Sequence, residues 1–118
     1  MADVTIYHNP NCSTSRFAVD EAERLGVDVD VVLYLKTKPG RDEILGLIAR
    51  LTDEPADLVR KDSYFAGLGL DEADYRSAGS VAELIERHPR LLQRPVLARE
   101  GSAIIGRPKT RVEPFLLG

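Results

Sequence analysis

The order of patterns in the first 35 residues limits the fold more than any other feature. Val4-Thr5-Ile6-Tyr7 is short, β-branched and aromatic, and it runs into Asn9-Pro10, so it reads as a strand ending in a turn. From Ser13 to Leu25, the residues Phe17, Ala18, Ala22 and Leu25 recur at helical spacing, and Gly26 is a stop signal. Val29 to Leu35 is a dense Val/Leu run, the pattern of a strand buried on both faces. Strand, helix and strand over roughly thirty residues make a βαβ unit, which predicts parallel pairing of the two strands.

The middle of the chain reads as helical. Ile44, Leu45, Leu47, Ile48 and Leu51 form an apolar stripe, and Asp53 with Pro55 opens a second helix through Leu58 and Val59. Tyr64 to Gly79 is rich in Gly and Asp and predicts only short helical turns. Ser80 and Glu83 fit a capping box for a helix that stops at Pro89. Val96–Arg99, the turn Glu100-Gly101 and Ala103–Ile105 predict an antiparallel hairpin. A short helix through Phe115 and Leu117 closes the chain, with Pro114 awkward at its start. The expectation is an α/β thioredoxin-like fold: a four-stranded mixed sheet, βαβ then ββα, with a helical insert between the second and third strands. The 118 residues suit one domain, spanning 1–118.

A net charge of −3 argues against a general nucleic-acid binder, which carries a basic face. No apolar run approaches the length of a membrane span, and Met1-Ala2-Asp3 lacks the basic and apolar regions of a signal peptide. With one cysteine and no internal disulfide possible, a reducing cytoplasm is the expected location.

That cysteine, Cys12, sits in the mouth of the first strand-to-helix turn, within Tyr7-His8-Asn9-Pro10-Asn11-Cys12-Ser13-Thr14-Ser15-Arg16. A thiolate is the nucleophilic form, and a helix N-terminus stabilises it through free backbone N–H groups. The same groups suit a bound anion. The plainer reading is a small buried hydrophobe. His8 is a possible cation or proton carrier beside the thiol, and equally a turn histidine. His88, before Pro89, reads as structural. Two scattered histidines and one cysteine make no convincing metal site.

Arg60, Arg94 and Arg107 bring the right chemistry for a tetrahedral oxyanion, since a guanidinium offers paired hydrogen bonds. Taken singly, each is equally an ordinary surface arginine. In a thioredoxin-like layout the residue before the third strand faces the first βα turn, which brings Arg94 toward Cys12. An X-Pro bond in a tight turn is also where a cis peptide is expected, at Arg94-Pro95.

The loop Tyr7–Arg16 resembles the active-site loop of the glutaredoxin-coupled arsenate reductases. The resemblance continues through Leu33-Tyr34-Leu35, Leu58-Val59-Arg60-Lys61, His88-Pro89, Arg94-Pro95 and Gly106-Arg107-Pro108, nearly the whole chain. It implies that Cys12 attacks arsenate, that Arg60, Arg94 and Arg107 hold the oxyanion, that His8 supports the thiolate, and that Ser15 lies near the thiol. It also implies a role in arsenical resistance. Ser13 departs from the family, where many members have glycine, and Asp62 sets a carboxylate beside the Arg60-Lys61 charges.

The cysteine count adds a condition. Reducing arsenate to arsenite after attack by Cys12 requires a second thiol, and this chain has none. The resemblance implies no bound cofactor, with glutathione or a similar small thiol as co-substrate and a glutaredoxin-type protein as electron donor. Two other readings stand beside this one. Cys12 and Ser15 give the C-x-x-S spacing of a monothiol glutaredoxin-like protein, although a disulfide substrate needs no oxyanion clamp. A non-catalytic regulator binding a protein partner is the other; it would lack a C-x-x-C switch, because position 15 is serine.

Overall fold

A computed structural model of the chain describes residues 2–118. Strand β1 (Val4–His8) leads through a tight loop to helix α1 (Ser13–Leu25). Gly26 ends α1 in the left-handed conformation at φ 69°, and its N–H closes on the carbonyls of Ala22 and Glu23, so the chain reverses into β2 (Val29–Leu33). Helices α2 (Tyr34–Thr37), α3 (Arg41–Arg50), α4 (Ser63–Gly67) and α5 (Ala78–Arg87) follow. The hairpin β3 (Val96–Ala98) and β4 (Ala103–Ile105) comes next, then α6 (Val112–Leu117).

The four strands form one mixed sheet in the order β2-β1-β3-β4. β1 pairs parallel with β2 and antiparallel with β3, and β3 pairs antiparallel with β4. This is the thioredoxin-like α/β arrangement expected, with α2 to α5 inserted between the second and third strands.

Strand alternation divides the core between the two faces of this sheet. Val4 and Ile6 of β1, Leu97 of β3 and Ile104 of β4 face Ala18 and Ala22 of α1 and Val112 and Leu116 of α6. Their neighbours Tyr7, Val96 and Ile105 belong to the opposite cluster, packed with Ile44 and Leu47 of α3 and Val81 and Ile85 of α5. Each face is thus covered by helices.

Several local expectations are corrected. β2 is not buried on both faces; it is an edge strand with Val31 42% exposed. It also ends at Leu33, where the chain coils into α2. The Val/Leu run has only β1 as a strand neighbour, and Asp28 and Asp30 interleave it with charge. The helix expected after Pro55 is a single 3₁₀ turn, Pro55–Leu58, and Val59 then forms an isolated antiparallel bridge with Leu92. The cap of α5 lies three residues earlier than expected. Ser77 accepts from the Ser80 N–H at 3.1 Å and its own N–H donates to Ser80 Oγ at 3.0 Å. Glu83, freed from capping, pairs with Arg87 one turn later at 3.2 Å. Pro114 sits in the first turn of α6, where a missing N–H costs nothing.

The outer edge of β4 is covered by the segment after α3. Thr52 N donates to Ala103 O at 3.0 Å and Asp53 Oδ2 accepts from Ile105 N at 3.1 Å. Arg111 closes the brace, giving Nη1 to Asp53 Oδ1 at 2.9 Å and to the carbonyl of Ile105 at 3.0 Å. Such cover removes the open pairing edge that a terminal strand otherwise presents.

Both Arg94-Pro95, as expected, and Arg107-Pro108 are cis. The two segments meet at Gly106, whose N–H donates to Pro95 O at 2.8 Å. A Cβ on Gly106 would lie 2.7 Å from Pro95 Cγ and 3.0 Å from Leu97 Cδ1, so glycine is required by close approach. Gly106→Ala is expected to destabilise the protein by about 1–3 kcal/mol, the usual range for overpacking. Denaturant unfolding monitored by circular dichroism checks this; an unchanged midpoint would show that the two segments part without cost.

Candidate active site

Sheet topology decides which residues meet. The C-terminal end of β1 carries the loop His8–Cys12. Because β2 is parallel to β1, with His8 opposite Leu33, the end of β2 and Tyr34 lie at the same edge. β3 runs the other way, so its beginning lies there: Tyr7 is opposite Val96. β4 reverses again, and Val96 is opposite Ile105, which places Gly106 and Arg107 at the same edge. One end of the sheet thus gathers Cys12, Tyr34, Arg94 and Arg107.

The cysteine loop is fixed by its own backbone. The Asn9 side-chain oxygen accepts from Asn11 N at 2.9 Å, and Cys12 N donates to Asn9 O at 3.0 Å. Cys12 is the N-cap residue of α1, with extended backbone, and its carbonyl accepts from Arg16 N at 2.9 Å. The sulfur therefore faces the unpaired N–H groups of the first helical turn.

Arg107 Nη2 lies 3.3 Å from Cys12 Sγ. Its Nε donates to the carbonyl of Arg94 at 2.8 Å, so the two arginines are mechanically joined. Cys12 is only partly buried. Burial opposes ionisation of the thiol, but the Ser15 N–H, the Arg94 guanidinium, the Thr14 N–H and the charge of Arg107 outweigh it. Its pKa is held below the ordinary thiol value.

His8 is buried, and burial is the first cause that pulls its pKa below the usual histidine value; the nearby Arg16 charge adds to it. A neutral ring is the favoured form. His8 Nδ1 meets Ser15 Oγ at 2.6 Å, and the same hydroxyl accepts from Asn9 N at 3.0 Å. Ser15 is completely buried, so its hydroxyl serves the loop and its backbone N–H serves the sulfur.

Arg60, unlike Arg94 and Arg107, makes no contact with the sulfur among the described residues. The Val59–Leu92 bridge pairs its segment with the one that leads to Arg94, and its Nε is tied to Asp62 at 3.1 Å. Asp62, whose other oxygen caps α4 by accepting from Phe65 N at 3.1 Å, is the carboxylate anticipated as a drain on the local positive field.

Two groups escaped sequence reasoning. The Asp53–Arg111 brace also reaches the carbonyl of Arg107 at 3.3 Å, steadying the residue that touches the thiol. Tyr34 is fully buried at the same edge of the sheet. Its hydroxyl and Arg94 Nε are buried without a hydrogen-bond partner among the described residues. Leaving such groups unpaired costs about 1–3 kcal/mol each. The signal for Tyr34 was its place directly after β2, level with the cysteine loop in the parallel register.

A thioredoxin-like sheet carrying a thiol at the start of its first helix, flanked by two arginines, defines a class of small thiol proteins suited to anionic substrates. A model of the ArsC family matches residues 7–115. Over 118 residues the chain is 36% identical to an arsenate reductase of Neisseria meningitidis, covering 98% of this chain and all of that one. It is 37% identical over 117 residues to an arsenate reductase of Escherichia coli, spanning 98% of this chain and 82% of that one. The structure of an arsenate reductase from Vibrio cholerae superposes with a TM-score of 0.85 at 33% identity, covering 98% of each chain. This chain belongs to the ArsC family.

Iodoacetamide should alkylate Cys12 with a pH midpoint below that of a simple thiol, and Arg107→Ala should move the midpoint upward. The sign follows from the lowered pKa: a stabilised thiolate persists to lower pH, and removing a nearby positive charge raises the pH needed to form it. A midpoint in the ordinary thiol range for the wild type would contradict the electrostatics.

Proposed function

We propose that this protein reduces arsenate to arsenite, with Cys12 as nucleophile and external thiols as the source of electrons. The observation that carries this reading is the Arg107 guanidinium 3.3 Å from the only sulfur of the chain able to act as a thiolate. Full-length likeness to arsenate reductases and membership of the ArsC family support an oxidoreductase of this kind.

In the proposed reaction arsenate docks at the start of α1, where backbone N–H groups and the Arg94 and Arg107 forks receive its oxygens. Arg60 joins them by exchanging Asp62 for the substrate. Ser15 contributes its N–H. His8, neutral and bonded to Ser15, keeps the helix start in place rather than supplying a charge. The thiolate attacks arsenic, a sulfur–arsenic bond forms, and the arsenic–hydroxyl bond breaks, its oxygen taking one proton from solvent to leave as water. The arginines stabilise the charge collected on the remaining oxygens.

Two electrons must then reach arsenic. An external thiolate, glutathione or a similar small thiol, attacks the Cys12 sulfur. A sulfur–sulfur bond forms, the sulfur–arsenic bond breaks, and its electron pair leaves with arsenic as arsenite. Cys12 is left in a mixed disulfide. With no second cysteine to resolve it, a glutaredoxin-type protein restores the thiol. The cycle suits a reducing cytoplasm. Phosphate shares the charge and shape of arsenate, so it competes for the site. Selectivity arises in the covalent step, because sulfur attacks phosphorus far less readily.

Arsenite formation measured with glutathione, glutaredoxin and a reductant supply tests the reading. Cys12→Ser should abolish turnover, falling at least about a thousandfold, while still binding oxyanion. Arg94→Lys keeps the charge but loses the fork and should lower kcat/KM by roughly ten- to a hundredfold. Turnover near the wild-type rate in Cys12→Ser would remove the proposed nucleophile.

A further inference from the structure

Tyr34 and Arg94 each bury a polar atom that lacks a partner among the described residues, and the two atoms are chemically complementary. Arg94 Nε–H can only donate, whereas a phenolic oxygen both accepts and donates. The Tyr34 hydroxyl lies against the side chains of Asn9 and Arg94 and within electrostatic reach of Cys12. The Asn9 side-chain oxygen receives Asn11 N and, as a carbonyl, has a second lone pair to offer.

We propose that Tyr34 is a positioning residue that couples the cysteine loop to Arg94. When negative charge gathers at the site, as thiolate or bound oxyanion, the Tyr34 oxygen accepts the Nε–H of Arg94 while its own O–H donates to Asn9 Oδ1. The outer nitrogens of the guanidinium are thereby turned toward Cys12. The oxyanion half of this statement rests on the arsenate reading; the thiolate half does not.

Three features support it. Tyr34 is completely buried, so its hydroxyl serves the interior and does not reach into solvent. Burial is the main cause that raises its pKa, which keeps the hydroxyl protonated and able to donate. Arg107 cannot do the same work, because its Nε is already committed to the Arg94 carbonyl. Tyr34 offers Arg94 an inner partner that also touches the cysteine loop. A scaffold role would require only the ring, so the hydroxyl can be tested separately.

The test compares wild type, Tyr34→Phe, Arg94→Ala and the double variant by the pH dependence of Cys12 alkylation with iodoacetamide, after thermal unfolding has confirmed that each is folded. Tyr34→Phe retains the ring and removes a buried oxygen that is unpaired while the thiol is protonated, so at a pH low enough to keep Cys12 protonated its Tm should equal or exceed that of wild type. Its alkylation midpoint should rise by about half a pH unit or more, a threefold loss of thiolate at a fixed lower pH. In the Arg94→Ala background the same substitution should add nothing. A wild-type midpoint in Tyr34→Phe, or a full additive rise in the double variant, overturns the proposal. Arsenate is then added as a protecting ligand. If it fails to slow alkylation of the wild type, the arsenate reading falls, while Tyr34 is still judged by the midpoints. If it protects wild type at concentrations several-fold lower than Tyr34→Phe, the oxyanion half is supported; equal protection overturns that half.

Discussion

The stabilisation of negative charge on a sulfur at the edge of a protein interior is the constraint on which this molecule turns. Burial of Cys12 works against ionisation, and only donors already in place reverse that effect. The donors come from separate parts of the chain: backbone N–H groups at the start of α1, Arg94 before β3, and Arg107 after β4. None of them alone outweighs burial, and the two arginines, distant in sequence, meet the sulfur only in the folded chain. Stabilising the thiolate therefore depends on the tertiary fold as well as on the loop and helix start.

The sheet solves the problem of convergence by strand direction. A parallel partner on one side of β1 and an antiparallel hairpin on the other bring three chain segments to one end without any long loop. Rigidity at that end comes from pieces with no chemical role of their own. Gly106 lets Pro95 and Leu97 approach the backbone, and Asp53 with Arg111 secures the segment that bears Arg107. A guanidinium is useful as a clamp only if its backbone is fixed, since a long free side chain would lose much of the gain as entropy on binding.

What could be read from the sequence follows from how local each signal is. β1, α1 and its Gly26 stop were legible because the pattern and the breakers lie within the segment itself. The approach of Arg94 to Cys12 was legible from topology, since strand order fixes which strand ends share an edge. The exposure of β2 was not, because the same Val/Leu run suits a central or an edge strand and only pairing decides. The cap of α5 was misplaced because Ser80 is both a plausible cap and the third residue of a box begun by Ser77. Tyr34 stayed hidden because aromatic character reads as core, and nothing in a linear pattern shows a hydroxyl left without a partner.

Charge balance gives the Asp62–Arg60 pair a place in the proposed reaction. A thiolate beside an arsenate dianion gathers three negative charges in a small volume. Against them stand two guanidinium groups, Arg94 and Arg107, and about half a charge from the N-terminus of α1. Those leave the site about half a charge negative, and a third guanidinium would turn that into about half a positive charge. The Arg60 and Asp62 side chains are both partly exposed, and surface pairs of that kind are worth about 0–1 kcal/mol. Releasing it costs little compared with the attraction of an incoming dianion. Asp62 in turn keeps its bond to Phe65 N, so the cap of α4 survives the exchange. Holding Arg60 in reserve has a further consequence: the positive field at the resting thiol stays moderate. Excess stabilisation would make the thiolate a poorer nucleophile, because nucleophilicity falls as the pKa falls. In the proposed reaction, the carboxylate that sets this site apart from a simple arginine cluster would separate two demands, ionising the sulfur before substrate arrives and neutralising the substrate once it has.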